Sequence, residues 1–239
     1  MTGSKLPEAR LPAIQSVERA ARMLGLFTVD EPQLMLSDLT DRMGMSKATV
    51  HRYATALRNA GLLRFTGGYY TLGPRVVELA SAALAGLGVM KVAGPYLERL
   101  VSQTGETAVL SVWDGEAPVV VRVDANTSRL VRIVVTTGSR LPPDSAQGQL
   151  FRAFMEAPGT DAELDQIREA RLAHYAAVVE GISALAAPVF QGEEIVATLA
   201  LVGTTSSIEP GGEMVELLRD AAENLSTELG FVEPERSRP

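Results

Sequence analysis

From Ile14 to Val29 the apolar residues Val17, Ala20, Ala21, Leu24 and Phe27 recur at intervals of three and four. That spacing stacks side chains along one face of a helix, so this face is expected to be buried. Ser37 is placed to cap a short helix from Asp38 to Met43, which Gly44 ends. Ser46 offers a second cap, and the periodicity from Lys47 to Ala60 stops at Gly61. Leu62 to Phe65 and Tyr69 to Leu72 flank Thr66-Gly67-Gly68 and predict a two-stranded hairpin, a candidate wing after a helix-turn-helix.

Pro74 can open a further helix, and Val76 to Met90, rich in Ala, Leu and Gly with few charges, is expected to pack along its length as a linker. A helix near Lys91 to Gln103 is then followed by strands at Thr107 to Trp113, Pro118 to Asp124 and Leu130 to Thr136, with turns at Asp114-Gly115 and Gly138. Helices near Ala146 to Glu156 and Asp161 to His174, strands around Ile182 to Phe190 and Ile195 to Val202, and a last helix from Gly212 to Leu229 complete the pattern. The order predicts an α+β chain, its larger part an antiparallel sheet with helices on one side.

On a helical wheel of about 100° per residue, Val50, Tyr53, Ala54 and Leu57 fall on one side of the segment after Ser46. Ala48, His51, Arg52 and Thr55 fall almost opposite, with Lys47 and Thr49 on the flanks. The first set suits packing. The second presents a small residue, a ring, a guanidinium and a hydroxyl, which fit a major groove and contact base edges. Ser46 and Lys47 at the helix start suit phosphates, and Arg64, Thr66 and Tyr69 of the hairpin, with Arg10 before the first helix, are placed for an adjacent backbone or minor groove.

A net charge of −7 argues against nucleic acid until its distribution is seen. Residues 1–85 carry ten Lys and Arg against seven Asp and Glu, a net of +3, whereas residues 86–239 carry a net of −10. Only the first part suits phosphates. With no cysteine, disulfides and thiolate zinc sites are excluded, and His51 and His174 are too few for an ordinary metal centre. His174, at a predicted helix end, is expected to interact with the terminal carbonyls. No nucleophile, metal or phosphate-loop spacing occurs, so neither catalytic residues nor a cofactor are expected and the chain is read as no enzyme. Without a signal peptide or an apolar run of membrane-spanning length, it is expected to be cytoplasmic with no membrane partner.

Ser46-Lys47-Ala48-Thr49-Val50-His51-Arg52 and Tyr70-Thr71-Leu72-Gly73 resemble the recognition helix and wing of the IclR family of bacterial regulators. Ile14-Gln15-Ser16-Val17-Glu18-Arg19-Ala20 is similar to that family's first helix, and Ala186-Ala187-Pro188-Val189 continues the likeness. The resemblance implies a GAF-like effector domain, a dimer or dimer of dimers, and a double-stranded, roughly palindromic DNA operator. It also implies an effector pocket at Ile133, Leu141, Ala146, Gln147, Ile182, Ala184, Ala200 and Val202, all apolar but Gln147. Members that take small hydroxy or keto acids carry polar groups there, so an apolar or aromatic effector is expected, its charge meeting the helix start at Ser145 and Ala146. The expected boundaries are an arm over 1–12, the DNA-binding domain over 13–73, the linker helix over 74–90, the effector and oligomerisation domain over 91–232, and a tail over 233–239. The rival reading is a winged-helix protein-interaction module without specific DNA binding.

Overall fold

The computed structural model describes residues 14–126, 133, 135–176, 181–208 and 211–231. The expected arm with Arg10, the expected tail, and residues 130–132 and 134 of the strand predicted before Gly138 lie outside them. The chain divides into two compact units within Met1–Ala82 and Ala83–Pro239.

In the first unit, α1 (Gln15–Leu24), α2 (Leu36–Met43) and α3 (Lys47–Asn59) precede β1 (Leu63–Thr66) and β2 (Tyr69–Leu72), and α4 (Pro74–Gly86) begins in it and ends past Ala82. The buried side of α1 is rotated from the expected one. Met23 and Phe27 enter the core beside half-buried Ala20 and Leu24, while Val17 remains 63% exposed. An isolated helix records its apolar stripe but not which edge of the stripe finds a partner. The start of α2 also differs: the Met35 amide donates to the Asp38 carboxylate at 2.7 Å, so Ser37 lies inside the first turn. A charged acceptor makes the stronger bond there. Gly67 and Gly68 both take positive φ, 62° and 91°, as a two-residue hairpin turn requires. Tyr70 exchanges backbone hydrogen bonds with Leu34, tying the hairpin to the helices.

The predicted linker helix breaks at extended Leu87, and no residue of α4 is buried. In the second unit α5 (Gly88–Val92) and α6 (Gly94–Thr104) lead to β3 (Thr107–Trp113) and β4 (Pro118–Asp124). Then come α7 (Ala146–Met155), α8 (Ala162–Ala170), β5 (Ala173–Ala176), β6 (Ile182–Gln191), β7 (Glu194–Thr204) and α9 (Glu213–Glu228). The five strands form an antiparallel sheet in the order β4-β3-β7-β6-β5.

Helices cover both faces of this sheet, not one. Leu110, Leu185, Leu199 and Leu201 pack with α6 and α9, whereas Val109, Ala186 and Ala200 pack with α7 and α8. The almost unbroken burial of β6 is what two covered faces demand. Described residues Ile133, Val135 and Thr136 are not in a strand. The helix expected to reach His174 stops at Ala170, because Arg171 turns left-handed at φ 49° and the chain re-enters the sheet as β5.

A Cβ on Gly73 would collide with the Gly61 carbonyl oxygen and lie 2.8 Å from its carbon, fixing the foot of the wing against the end of α3. Gly73→Ala should destabilise the chain by about 3 kcal/mol, the upper end of typical overpacking costs. Urea unfolding would check this. Gly86→Ala, with open space at its Cβ, should leave stability unchanged or slightly raised.

Candidate DNA interface and effector site

Three helical residues fix how α3 is turned: Val50, Ala54 and Leu57 are buried, and Tyr53 packs half-buried beside them. Ala48, His51 and Arg52 are consequently exposed, with Thr55 half-buried at the margin. Ser46 accepts from the Thr49 amide at 3.3 Å, and the Ser46 and Thr49 hydroxyls lie 2.9 Å apart. Lys47 stands exposed beside this cap. On the hairpin Arg64, Thr66 and Tyr69 are all exposed.

Among the described residues no acidic side chain pairs with Lys47, Arg52, Arg58 or Arg64. Arg42, by contrast, is held by two 2.6 Å bonds to Glu31, which lower the carboxyl's pKa and raise that of the guanidinium. The surface of α3 and the hairpin therefore carries uncompensated positive charge with exposed hydroxyls and an imidazole, chemistry suited to phosphates and base edges. Two features had escaped the sequence reading. The Arg58 guanidinium lies 5.8 Å from the centre of the Phe65 ring, and Phe65 is 45% exposed. Their proximity depends on α3 packing on β1.

In the second unit Leu141, Ala146, Ala184, Ala200 and Val202 gather in one apolar cluster between α7 and the sheet. Val109, Val120, Val123 and Tyr175 share it without having been singled out in the sequence. Tyr175 belongs to β5, whose existence no sequence signal revealed. Ile182 and Ile133 are half-buried and are not among the residues packed into that cluster; the Ile133 carbonyl accepts from the Thr107 hydroxyl at 3.5 Å.

Ser145 caps α7, accepting from the Gly148 amide at 3.2 Å and donating to the Pro142 carbonyl at 2.6 Å. The helix start is seated closely: a Cβ on Gly148 would strike the Pro143 carbonyl oxygen and lie 2.9 Å from that of Pro142. Gln147 follows the cap, only 4% exposed, and its Nε2 finds no partner among the described residues. Ser111 and Thr198, a cross-strand pair next to Val109 and Ala200 on the same sheet face, also keep buried hydroxyls without partners among the described residues. Buried polar groups are nearly always hydrogen-bonded, so an unpartnered set beside an apolar cluster suits a ligand that is largely apolar with a polar end. His174 lies in β5, its Nε2 2.9 Å from the Ser183 hydroxyl, and not at a helix end. No group of three metal-ligating side chains occurs among the described residues, and no helix among them is long and apolar enough to cross a membrane.

A winged helix-turn-helix, in a chain whose larger α+β unit keeps unpartnered polar groups beside an apolar cluster, defines a DNA-binding regulator with a sensing domain. Residues 16–67 match the IclR helix-turn-helix domain, and residues 81–172 match the bacterial transcriptional regulator IclR C-terminal domain. The chain is 27% identical to the HTH-type transcriptional regulator XynR of Escherichia coli (strain K12), over 92% of this chain and 99% of that one. The crystal structure of Pseudomonas aeruginosa HmgR is 30% identical, with a TM-score of 0.67 over 90% of this chain and 99% of that one. An IclR homologue from Microbacterium hydrocarbonoxydans, solved with 4-hydroxybenzoate, shares the fold at 24% identity and a TM-score of 0.71, over 90% of this chain and 99% of that one. The chain belongs to the IclR family of DNA-binding transcriptional regulators.

Gln147→Leu removes an unpaired buried amide at similar volume, which is nearly neutral or stabilising for the unliganded chain. Its thermal midpoint should hold or rise. A loss of about 1–3 kcal/mol would instead show that the amide is satisfied within the chain.

Proposed function

We propose that this chain binds a specific DNA operator through α3 and the wing and that a small apolar or aromatic molecule, held under α7, sets its affinity. The observation that carries the DNA reading is the division of α3 into a buried apolar side and an exposed side whose cations have no acidic partner among the described residues. Ala48, Thr49, His51, Arg52 and Thr55 would read bases, while Ser46, Lys47, Arg64, Thr66 and Tyr69 hold the backbone or an adjacent groove. For the effector, Leu141, Ala146, Ala184, Ala200 and Val202 supply the apolar wall, with Ile133 and Ile182 beside it. The Gln147 amide, the Ser145-capped helix start and the buried Ser111 and Thr198 hydroxyls supply the polar end. Gln147 Nε2 only donates, so the ligand must offer an acceptor such as a carboxylate.

The protein works as an oligomer in this reading, in the cytoplasm and without catalysis. No residue of α4 is buried, Val77 is 67% exposed, and Ile14 just before the first helix and Val17 within it are similarly bare. A second copy is the occupant that places two recognition helices on an approximate palindrome. Domain limits of 13–73, 74–90 and 91–232 follow from the same reading.

Fluorescence anisotropy against the chain's own upstream DNA and a scrambled duplex, across a salt series, tests the first half. Tight, salt-dependent preference for the native fragment is expected; equal salt-independent behaviour would favour a protein-interaction module. Arg52→Ala should cost about 1–3 kcal/mol and relax preference at one base pair. Thermal shift tests the second half. Aromatic carboxylates should raise the midpoint and change operator affinity, less so in Gln147→Leu, whereas stabilisation by a small keto acid alone would refute an apolar or aromatic effector.

A further inference from the structure

His51, Thr55 and Arg58 stand at intervals of four and three along α3, so Arg58 continues the exposed stripe one turn beyond the residues assigned to base contact. It is exposed, has no acidic partner among the described residues, and lies 5.8 Å from the centre of the Phe65 ring on the wing. Phe65 is itself braced: its ring is 4.7 Å from that of Tyr70, which is 3% exposed and exchanges backbone bonds of 2.7 and 3.0 Å with Leu34.

A large aromatic half exposed on a wing would ordinarily be a liability. Here its face restricts a long cationic side chain without neutralising it, since the ring quadrupole attracts the guanidinium and leaves its outer N–H groups free to donate. We propose that Arg58 is a phosphate contact of the DNA interface and that Phe65 is the residue that positions it. The inference rests on the assignment of α3 and the wing to DNA. Its ligand is the sugar-phosphate backbone, not a base, because a planar guanidinium matches phosphate oxygens bidentately. Restricting the side chain before binding lowers the entropy lost on contact.

The full chain and a fluorescein-labelled duplex of random sequence provide the test, because a phosphate contact is independent of sequence. Arg58→Ala, and Arg58→Gln which keeps the chain length, should flatten the slope of log affinity against log salt by about 1. Arg58→Lys should keep that slope. Phe65→Leu should weaken binding roughly two- to fivefold with the slope intact, and cost nothing more once Arg58 is Ala. An unchanged slope in Arg58→Ala and Arg58→Gln, or equal losses from Phe65→Leu in both backgrounds, overturns the proposal while leaving the DNA reading in place. Absence of salt-dependent binding by the unaltered chain overturns both.

Discussion

Burial of Val50, Ala54 and Leu57 sets the rotation of α3, and the character of the first unit's surface follows from it. A helix with 100° between residues has no freedom to expose one residue of a stripe and hide the next. Once three apolar side chains enter the core, His51 and Arg52 must face outward. The same packing brings the end of α3 onto β1, which is why the foot of the wing tolerates no side chain at Gly73 and why an arginine and an aromatic from different elements come within 5.8 Å. Fold and interface here have one cause: the exposed chemistry is whatever the buried stripe leaves over.

The second unit poses the opposite problem. Its sheet is covered on both faces, so every polar atom between layers must find a partner or accept a penalty of about 1–3 kcal/mol. The α6 and α9 side resolves this in part with Ser226, whose hydroxyl accepts from the Phe190 amide at 3.0 Å and donates to the Ala222 carbonyl at 2.6 Å. The α7 side does not: Gln147, Ser111 and Thr198 remain unpartnered beside an apolar cluster. A domain selected only for stability would replace such groups with apolar ones. They lie on the face where the family resemblance sets its pocket, and under the proposed function a ligand that satisfied them would stabilise only the folded state.

Local chemistry was the legible part of the sequence. The Ser46 cap, the stop at Gly44 and the Gly67-Gly68 turn each depend on one or two residues and their own backbone, so the residues announce them. The wing residues and the outward face of α3 followed from the same local rules. What escaped depended on distant partners. The register of α1 is decided by which edge of its stripe meets the core, and the start of α2 by a carboxylate outcompeting a hydroxyl one residue before it. β5 was hidden because Arg171, not glycine, takes the left-handed turn that ends α8; its guanidinium stacks 5.6 Å from both Phe190 and Phe231, a contact from elements far apart in sequence. Helices on both faces were missed because β6 and β7 read as buried strands either way. The effector residues were placed by family likeness, and the hydroxyls of Ser111 and Thr198 stayed invisible because a lone serine or threonine in a strand carries no mark of being unpaired.

Charge distribution gives the two units different relations to DNA. The +3 of residues 1–85 is modest, and Arg42 is already committed to Glu31, so under the proposed assignment attraction to phosphates rests on a few side chains of α3 and the wing that have no acidic partner among the described residues. The −10 of residues 86–239 opposes approach of the second part to any polyanion. Non-specific affinity scales with the number of phosphates neutralised, so under the proposed assignment, with few such cations, a larger share of the binding energy would come from base contacts. Discrimination between sites benefits from that balance, because weak background binding leaves fewer copies on competing DNA. The acidity that first argued against nucleic acid thus acts as a constraint on where and how tightly DNA is held.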